Sequence, residues 1–101
     1  MSDLNAYLDE LKKTKGIETD TALGEFLGIR RQEVSRARKR GYLTDEQCIY
    51  IALELGEHPL VIMLAREAAK EKNERYAAIW KSGIEACKRG LDTTALKDYR
   101  K

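Results

Sequence analysis

The chain has 101 residues, which is enough for one compact domain and hardly enough for two. Its charged fraction of 36% and apolar fraction of 43% are typical of a folded domain and exclude a disordered chain. No apolar run approaches the length of a transmembrane helix, and the acidic, amphipathic N-terminus does not resemble a signal peptide. We therefore expect a cytoplasmic protein.

Few side chains are suited to catalysis or metal binding. Cys48, Cys87 and the single histidine, His58, share no short spacing, so we expect reduced cysteines in the core and a histidine in a loop. The sequence contains no paired carboxylates at a recognisable spacing and no glycine-rich loop that would cradle a phosphate. These absences predict no enzymatic activity, no cofactor, no metal and no small-molecule ligand.

The net charge of +2 is unevenly distributed along the chain. Residues 1–29 carry three basic and six acidic side chains, and residues 43–64 carry four acidic side chains and no basic one. Residues 30–42 instead carry six basic and one acidic, and residues 65–101 carry ten basic and six acidic. This concentration of positive charge favours a localised anionic partner over nonspecific adhesion.

The hydrophobic pattern predicts an all-α protein with five helices followed by a C-terminal helical extension, and no strand. In chain order, we expect helices from Asp3 to about Thr14, from Thr19 or Asp20 to Gly28, from Arg30 to about Lys39, from Thr44 to Gly56, and from about Pro59 onward. The polar segment KEKNER, residues 70–75, then interrupts the pattern. Either one long helix passes through solvent there, or two helices meet. We therefore divide the chain into a helical domain, 1–69, and an extension with a short polar tail, 70–101.

An apolar stripe at helical spacing returns after this interruption. It consists of Tyr76, Ile79, Trp80, Ile84 and Cys87. The stripe could belong to the core of the same chain, but the preceding helices already close a small domain. We therefore expect the stripe to form a dimer interface.

Residues 23–41, LGEFLGIRRQEVSRARKRG, have the spacing of two short helices joined by a tight turn. Gly24 is small enough for the two helices to approach closely, and Gly28 tolerates the positive φ of the turn. Val34 is placed to pin the second helix at its middle, and Ile29 to plug the base of the turn. The second helix has only a narrow apolar stripe, so its basic outer face is free for a polar partner.

Over residues 4–64, this pattern resembles the phage repressor and Cro family of helix-turn-helix proteins. The C-terminal extension is similar to that of small regulators of filamentous phages and prophages. Three positions depart from the family's pattern. Gly24 stands where alanine is usual, Ala37 lies where a large apolar residue is frequent nearby, and Asp20 stands where glutamine is frequent. A carboxylate cannot donate a hydrogen bond to a phosphate, so we expect Asp20 to act as an N-cap.

The resemblance implies that the second helix of the motif enters the major groove of double-stranded DNA. The side chains expected to contact base edges are Arg31, Gln32, Ser35 and Arg36. Arginine suits guanine and glutamine suits adenine, because each can form two hydrogen bonds to a single base. The side chains expected to contact backbone phosphates are Arg30, Arg38, Lys39 and Arg40.

The resemblance therefore implies a transcriptional regulator, with a homodimeric repressor that reads a palindromic operator as the leading hypothesis. Two alternatives remain open. In the first, the C-terminal helices bind a protein partner, as in an antitoxin or an adaptor, and the apolar stripe is the essential surface. In the second, the basic helix binds nucleic acid without sequence preference.

Overall fold

The computed structural model describes residues 3–90, and α-helix is the only regular secondary structure in this part of the chain. The helices, in chain order, are α1 (Asp3–Lys15), α2 (Asp20–Leu27), α3 (Arg31–Arg40), α4 (Asp45–Leu55), α5 (Pro59–Lys70) and α6 (Glu74–Gly90). The all-α prediction is thus confirmed, whereas the expected polar tail lies outside the described residues. Within residues 3–90, no helix is long and apolar enough to cross a membrane.

The helix ends follow local signals in the sequence. Thr44 and Gln47 form a reciprocal capping box at the start of α4, with hydrogen bonds of 2.8 and 3.1 Å. Pro59 occupies the first turn of α5, where no backbone N–H is required. His58 lies in the loop before α5, as expected, and it is also the N-cap of this helix. Its Nδ1 accepts a hydrogen bond from the Leu60 N–H at 3.1 Å.

The polar segment 70–75 separates two helices. The α5 helix ends at Lys70, and Asn73 stabilises the start of α6 by accepting a hydrogen bond from the Arg75 N–H at 2.9 Å. Helix α6 then packs along α5, where Gly83 lies against Leu64. Of the two possibilities left open by the sequence, the chain adopts the pair of helices.

The core lies where α1, α4 and α5 meet, with α2, α3 and α6 packed around it. Its largest fully buried side chains are Leu4, Leu8, Leu11, Leu23, Val34, Cys48, Ile51, Val61 and Ile62. Full burial of a side chain such as leucine or isoleucine contributes about 1.5–3 kcal/mol. Only Val34 and Ala37 of α3 are buried, so α3 is held by a narrow stripe and keeps most of its surface outside the core.

Candidate nucleic-acid interface

A tight turn sets the direction of α3 relative to α2. Gly28 adopts φ +74° and its N–H donates to the Glu25 carbonyl at 3.2 Å, while the Ile29 N–H donates to the Gly24 carbonyl at 2.8 Å. This pair of hydrogen bonds is a Schellman motif, which satisfies carbonyl groups at the end of α2. Val34, at 1% exposure, pins α3 from its middle against the core.

Gly24 lies where α2 and the start of α3 approach each other. It is buried, and a Cβ atom at this position would stand 2.8 Å from the Ile29 carbonyl oxygen and 3.4 Å from Val34 Cγ2. Glycine weakens a helix by about 1 kcal/mol relative to alanine. An alanine would nevertheless displace the backbone of the turn. The close approach of α2 to the start of α3 therefore requires glycine at this position.

Helix α3 presents a polar face opposite its buried stripe. The side chains that share this outer face, by their i, i+3, i+4 and i+7 spacing, are Gln32, Ser35, Arg36 and Lys39. Together with Arg40 they line a shallow surface groove. Three of the four expected base contacts therefore lie side by side, and the fourth, Arg31, is exposed at the first position of the helix.

Most cations of this region have no ion-pair partner among the residues that the structure describes. They are Arg30, Arg31, Arg36, Lys39 and Arg40. All five are exposed, and Glu33 is the one carboxylate on α3. Their charges are thus available to an anionic partner, and the concentrated positive potential would attract it over a distance.

Arg38 differs from its neighbours because its donors are bonded to other helices. Its Nε and Nη2 donate to the two carboxylate oxygens of Asp20 at 3.1 and 3.0 Å. Nη2 also donates to Asp9 at 2.8 Å, and Nη1 donates to Asn5 at 3.3 Å. The side chain is 17% exposed. The expected phosphate contact of Arg38 is therefore corrected: this residue fastens α3 to α1 and α2.

Asp20 joins three helices through charge. In addition to Arg38, it accepts a hydrogen bond from Lys12 Nζ at 3.2 Å. The hydrogen bond from Arg38 is the largest cause of the lowered pKa of Asp20. Burial raises this pKa, and the hydrogen bond from Lys12 lowers it further. The N-cap of α2 is Thr19, whose side chain accepts from the Ala22 N–H at 3.1 Å. The expected capping role of Asp20 is thus replaced by an ion-pairing role.

We expect the Asp20→Asn variant to be less stable than the wild type at neutral pH but not in acid. The pKa of Asp20 is lower in the folded than in the unfolded state, so its stabilisation is complete above the usual value of 3.8 and disappears as the pH falls through the lower folded pKa. The Asp20 side chain is 36% exposed, and we expect a loss of about 1 kcal/mol at pH 7. Urea unfolding at several pH values would measure it.

The matched control for this variant is Glu18→Gln, which neutralises an exposed carboxylate without an ion pair among the described residues. This control should change stability by less than about 0.5 kcal/mol at every pH. A loss in Asp20→Asn that stays constant as the pH falls well below 3.8 would contradict the ion-pair explanation, because a lowered pKa in the folded state requires the stabilisation by the carboxylate to decline in that range.

The segment after α3 is held by α5 from the other side. Gly41 ends α3 at φ +69° and lies against the backbone carbonyl of Arg66. The Arg66 side chain, 12% exposed, donates from Nη1 to the Leu43 carbonyl at 3.3 Å and to Asp45 at 2.6 Å. Both flanks of α3 are thus anchored by arginines, and no signal in the sequence distinguished either of them from the surface cations.

No protein-family model, curated protein or solved structure matches this chain.

Within residues 3–90, no group of three or more His, Cys, Asp and Glu side chains is placed to hold a metal ion. Cys48 and Cys87 are free thiols, and Cys48 is buried. The basic outer face of α3 is therefore the candidate site that we consider further.

Only some residues of the expected dimer interface are exposed to solvent. Tyr76, Ile79 and Trp80 form an apolar face of α6 and are 57%, 64% and 37% exposed. Ile84, in contrast, is 4% exposed, and Cys87 packs against the same core. The assignment of Ile84 to a dimer interface is therefore wrong, because α6 packs on α5 and buries Ile84 in the core. Cys87 is half-buried at the edge of that core, and its place in a dimer interface stays a prediction.

Proposed function

We propose that this protein is a sequence-specific DNA-binding transcriptional regulator, in which α2, the turn at Gly28 and α3 form a helix-turn-helix of the phage-repressor type. The observation that carries the proposal is the set of unpaired cations around the outer face of a helix anchored on both flanks. A rigidly held basic helix with a free face is what recognition in the major groove requires. Arg38 and Arg66 provide that rigidity from outside the reading surface.

The individual roles follow from position on α3. Arg31, Gln32 and Arg36 lie in the N-terminal and central turns, from which side chains reach base edges, and the short Ser35 allows close approach. The side chains that remain for backbone phosphates are Arg30, Lys39 and Arg40.

A homodimer would place two copies of α3 on one face of DNA. Two inverted half-sites with centres one helical turn apart, about 34 Å, form a palindrome that a two-fold symmetric protein can read. The apolar face of α6, with Ile79 at 64% exposure, is the surface that supports self-association. Repression would follow where the operator overlaps a promoter.

Fluorescence anisotropy with a duplex selected from a random pool, and with a scrambled duplex, tests the groove-reading role. We expect the wild type to prefer the selected duplex by roughly a thousandfold or more at physiological salt. Each of Arg31→Ala and Arg36→Ala should reduce this preference by about 5- to 150-fold, the equivalent of 1–3 kcal/mol. Arg75→Ala removes an exposed arginine on α6 and should leave the preference unchanged.

Two outcomes would contradict this function. Equal, weak affinity of the wild type for both duplexes would exclude sequence-specific recognition. An unchanged preference in both α3 variants would exclude the groove-reading role of this helix even if the protein binds DNA.

A protein-interaction module is the second candidate, favoured by the same exposed residues Tyr76, Ile79 and Trp80. Such a module would require the apolar face of α6 and not the basic face of α3. Ile79→Ser would then abolish binding of the partner protein, whereas Arg31→Ala and Arg36→Ala would retain it.

A further inference from the structure

A basic cleft lies beside the C-terminal end of α3. It is lined by Lys39, Arg40, Tyr42, Ala69, Lys70, Glu71 and Lys72. We call this surface the α3–α5 cleft, because the end of α3, the turn that follows it and the end of α5 converge there. Its lining contains four cations and one carboxylate. Three of the lining residues, Lys70, Glu71 and Lys72, belong to the segment that interrupts the hydrophobic pattern.

The contact between α3 and α5 holds this cleft in place. At Gly41 the backbone approaches so closely that a Cβ atom would stand 2.5 Å from the Arg66 carbonyl oxygen and 2.9 Å from Lys70 Cγ. The stem of Lys70 is therefore packed against the end of α3, while the side chain as a whole is 46% exposed and extends outward. The cleft is a preformed concave surface, in which positive potential is stronger than on a flat one.

The charges of the cleft are largely unpaired within the described residues. Lys39, Arg40 and Lys72 have no ion pair there, and Lys70 Nζ lies 3.9 Å from a Glu67 carboxylate oxygen, a weak contact. Tyr42 is 55% exposed, and its phenol group can donate a hydrogen bond to an anion. Ammonium, guanidinium and phenol groups together are the donors that proteins use for phosphate oxygens.

We propose that the α3–α5 cleft binds a backbone phosphate of the duplex whose major groove α3 enters, so that α5 extends the DNA interface. This inference rests on the proposed function. The shallow groove of the outer face and the α3–α5 cleft share Lys39 and Arg40, so a duplex lying on the outer face continues past the cleft. In the alternative interpretation, these cations bind no phosphate and only stabilise the negative C-terminal ends of the α3 and α5 helix dipoles.

The test compares Lys70→Gln/Lys72→Gln with a matched double variant, Lys13→Gln/Lys81→Gln, whose two lysines are also exposed. The slope of log affinity against log salt should become shallower by about 0.9 for each phosphate that the protein no longer neutralises, and only in the first variant. The affinities for selected and scrambled duplexes should fall by the same factor, because phosphates carry no sequence information. Glu71→Gln should strengthen binding to both.

A scan with uncharged methylphosphonate groups locates the contact on the DNA. Wild-type affinity should drop when one phosphate at the edge of the binding site is replaced, and Lys70→Gln/Lys72→Gln should be insensitive to that replacement. Tyr42→Phe should show a smaller drop at the same phosphate, since it lacks one hydrogen-bond donor.

The outcomes separate this inference from the proposed function. If Lys70→Gln/Lys72→Gln binds with the wild-type salt slope and methylphosphonate pattern, the cleft holds no phosphate and the lysines only offset helix dipoles, while recognition by α3 stands. If the wild type binds no duplex, both proposals are wrong. If its binding depends on salt but not on sequence, a shallower slope in the variant still supports the cleft, while the sequence-specific function is excluded.

Discussion

Gly41→Ala should lower the free energy of unfolding by roughly 2–5 kcal/mol, through backbone strain and steric overlap together. Gly41 adopts φ +69°, a region that costs an L-residue about 1–2 kcal/mol. The added Cβ would also stand 2.5 Å from the Arg66 carbonyl oxygen and 3.1 Å from the Ala69 Cβ. Neither is the tip of a flexible side chain, so α3 and α5 would have to separate. Urea unfolding followed by circular dichroism at pH 7 would measure the loss.

Gly28→Ala is the matched control for this prediction. Gly28 has nearly the same φ, +74°, but a Cβ there meets nothing within 4 Å. We expect this control to lose only the backbone component, about 1–2 kcal/mol. The difference between the two variants then measures the contact between the end of α3 and α5. Equal losses would contradict the tight contact that shapes the α3–α5 cleft.

Ile84→Ala should cost about 2–5 kcal/mol of unfolding free energy, the usual loss for a large-to-small change in a core. Ile84 is 4% exposed and belongs to the core cluster. Ile79, earlier on the same helix, is 64% exposed. Ile79→Ala should therefore change the stability of the monomer by less than about 0.5 kcal/mol. Unfolding at low protein concentration would keep dimerisation from contributing to either value.

The same pair of variants separates the core from the proposed dimer interface. Sedimentation at increasing protein concentration should show that Ile79→Ala raises the dimer dissociation constant, by roughly fivefold or more if Ile79 contributes 1 kcal/mol to the interface. If Ile79→Ala has the same association as the wild type, the apolar face of α6 does not hold the dimer. If instead Ile84→Ala is as stable as the wild type, α6 does not pack as described.

Local signals in the sequence were sufficient to place the helices and the turn. The capping pair Thr44 and Gln47, the proline at position 59 and the glycine at position 28 act on neighbouring backbone groups within a few residues. Such effects depend on the local chain alone, so they can be read without knowledge of the packing. The same holds for the narrow apolar stripe of α3 and for the concentration of positive charge on its other faces.

Only the tertiary structure decided which residues of the basic run and of the apolar stripe are exposed and which contact other helices. Arg36 and Arg38 lie in one basic run, yet Arg38 alone reaches Asp20 and Asp9, which are 18 and 29 residues away in the chain. Ile79 and Ile84 share one apolar stripe, yet only Ile84 meets the core. The sequence alone determined helix positions because hydrogen bonds within a helix are local. Ion pairs and burial between distant segments depend on how the helices pack, which periodicity does not encode.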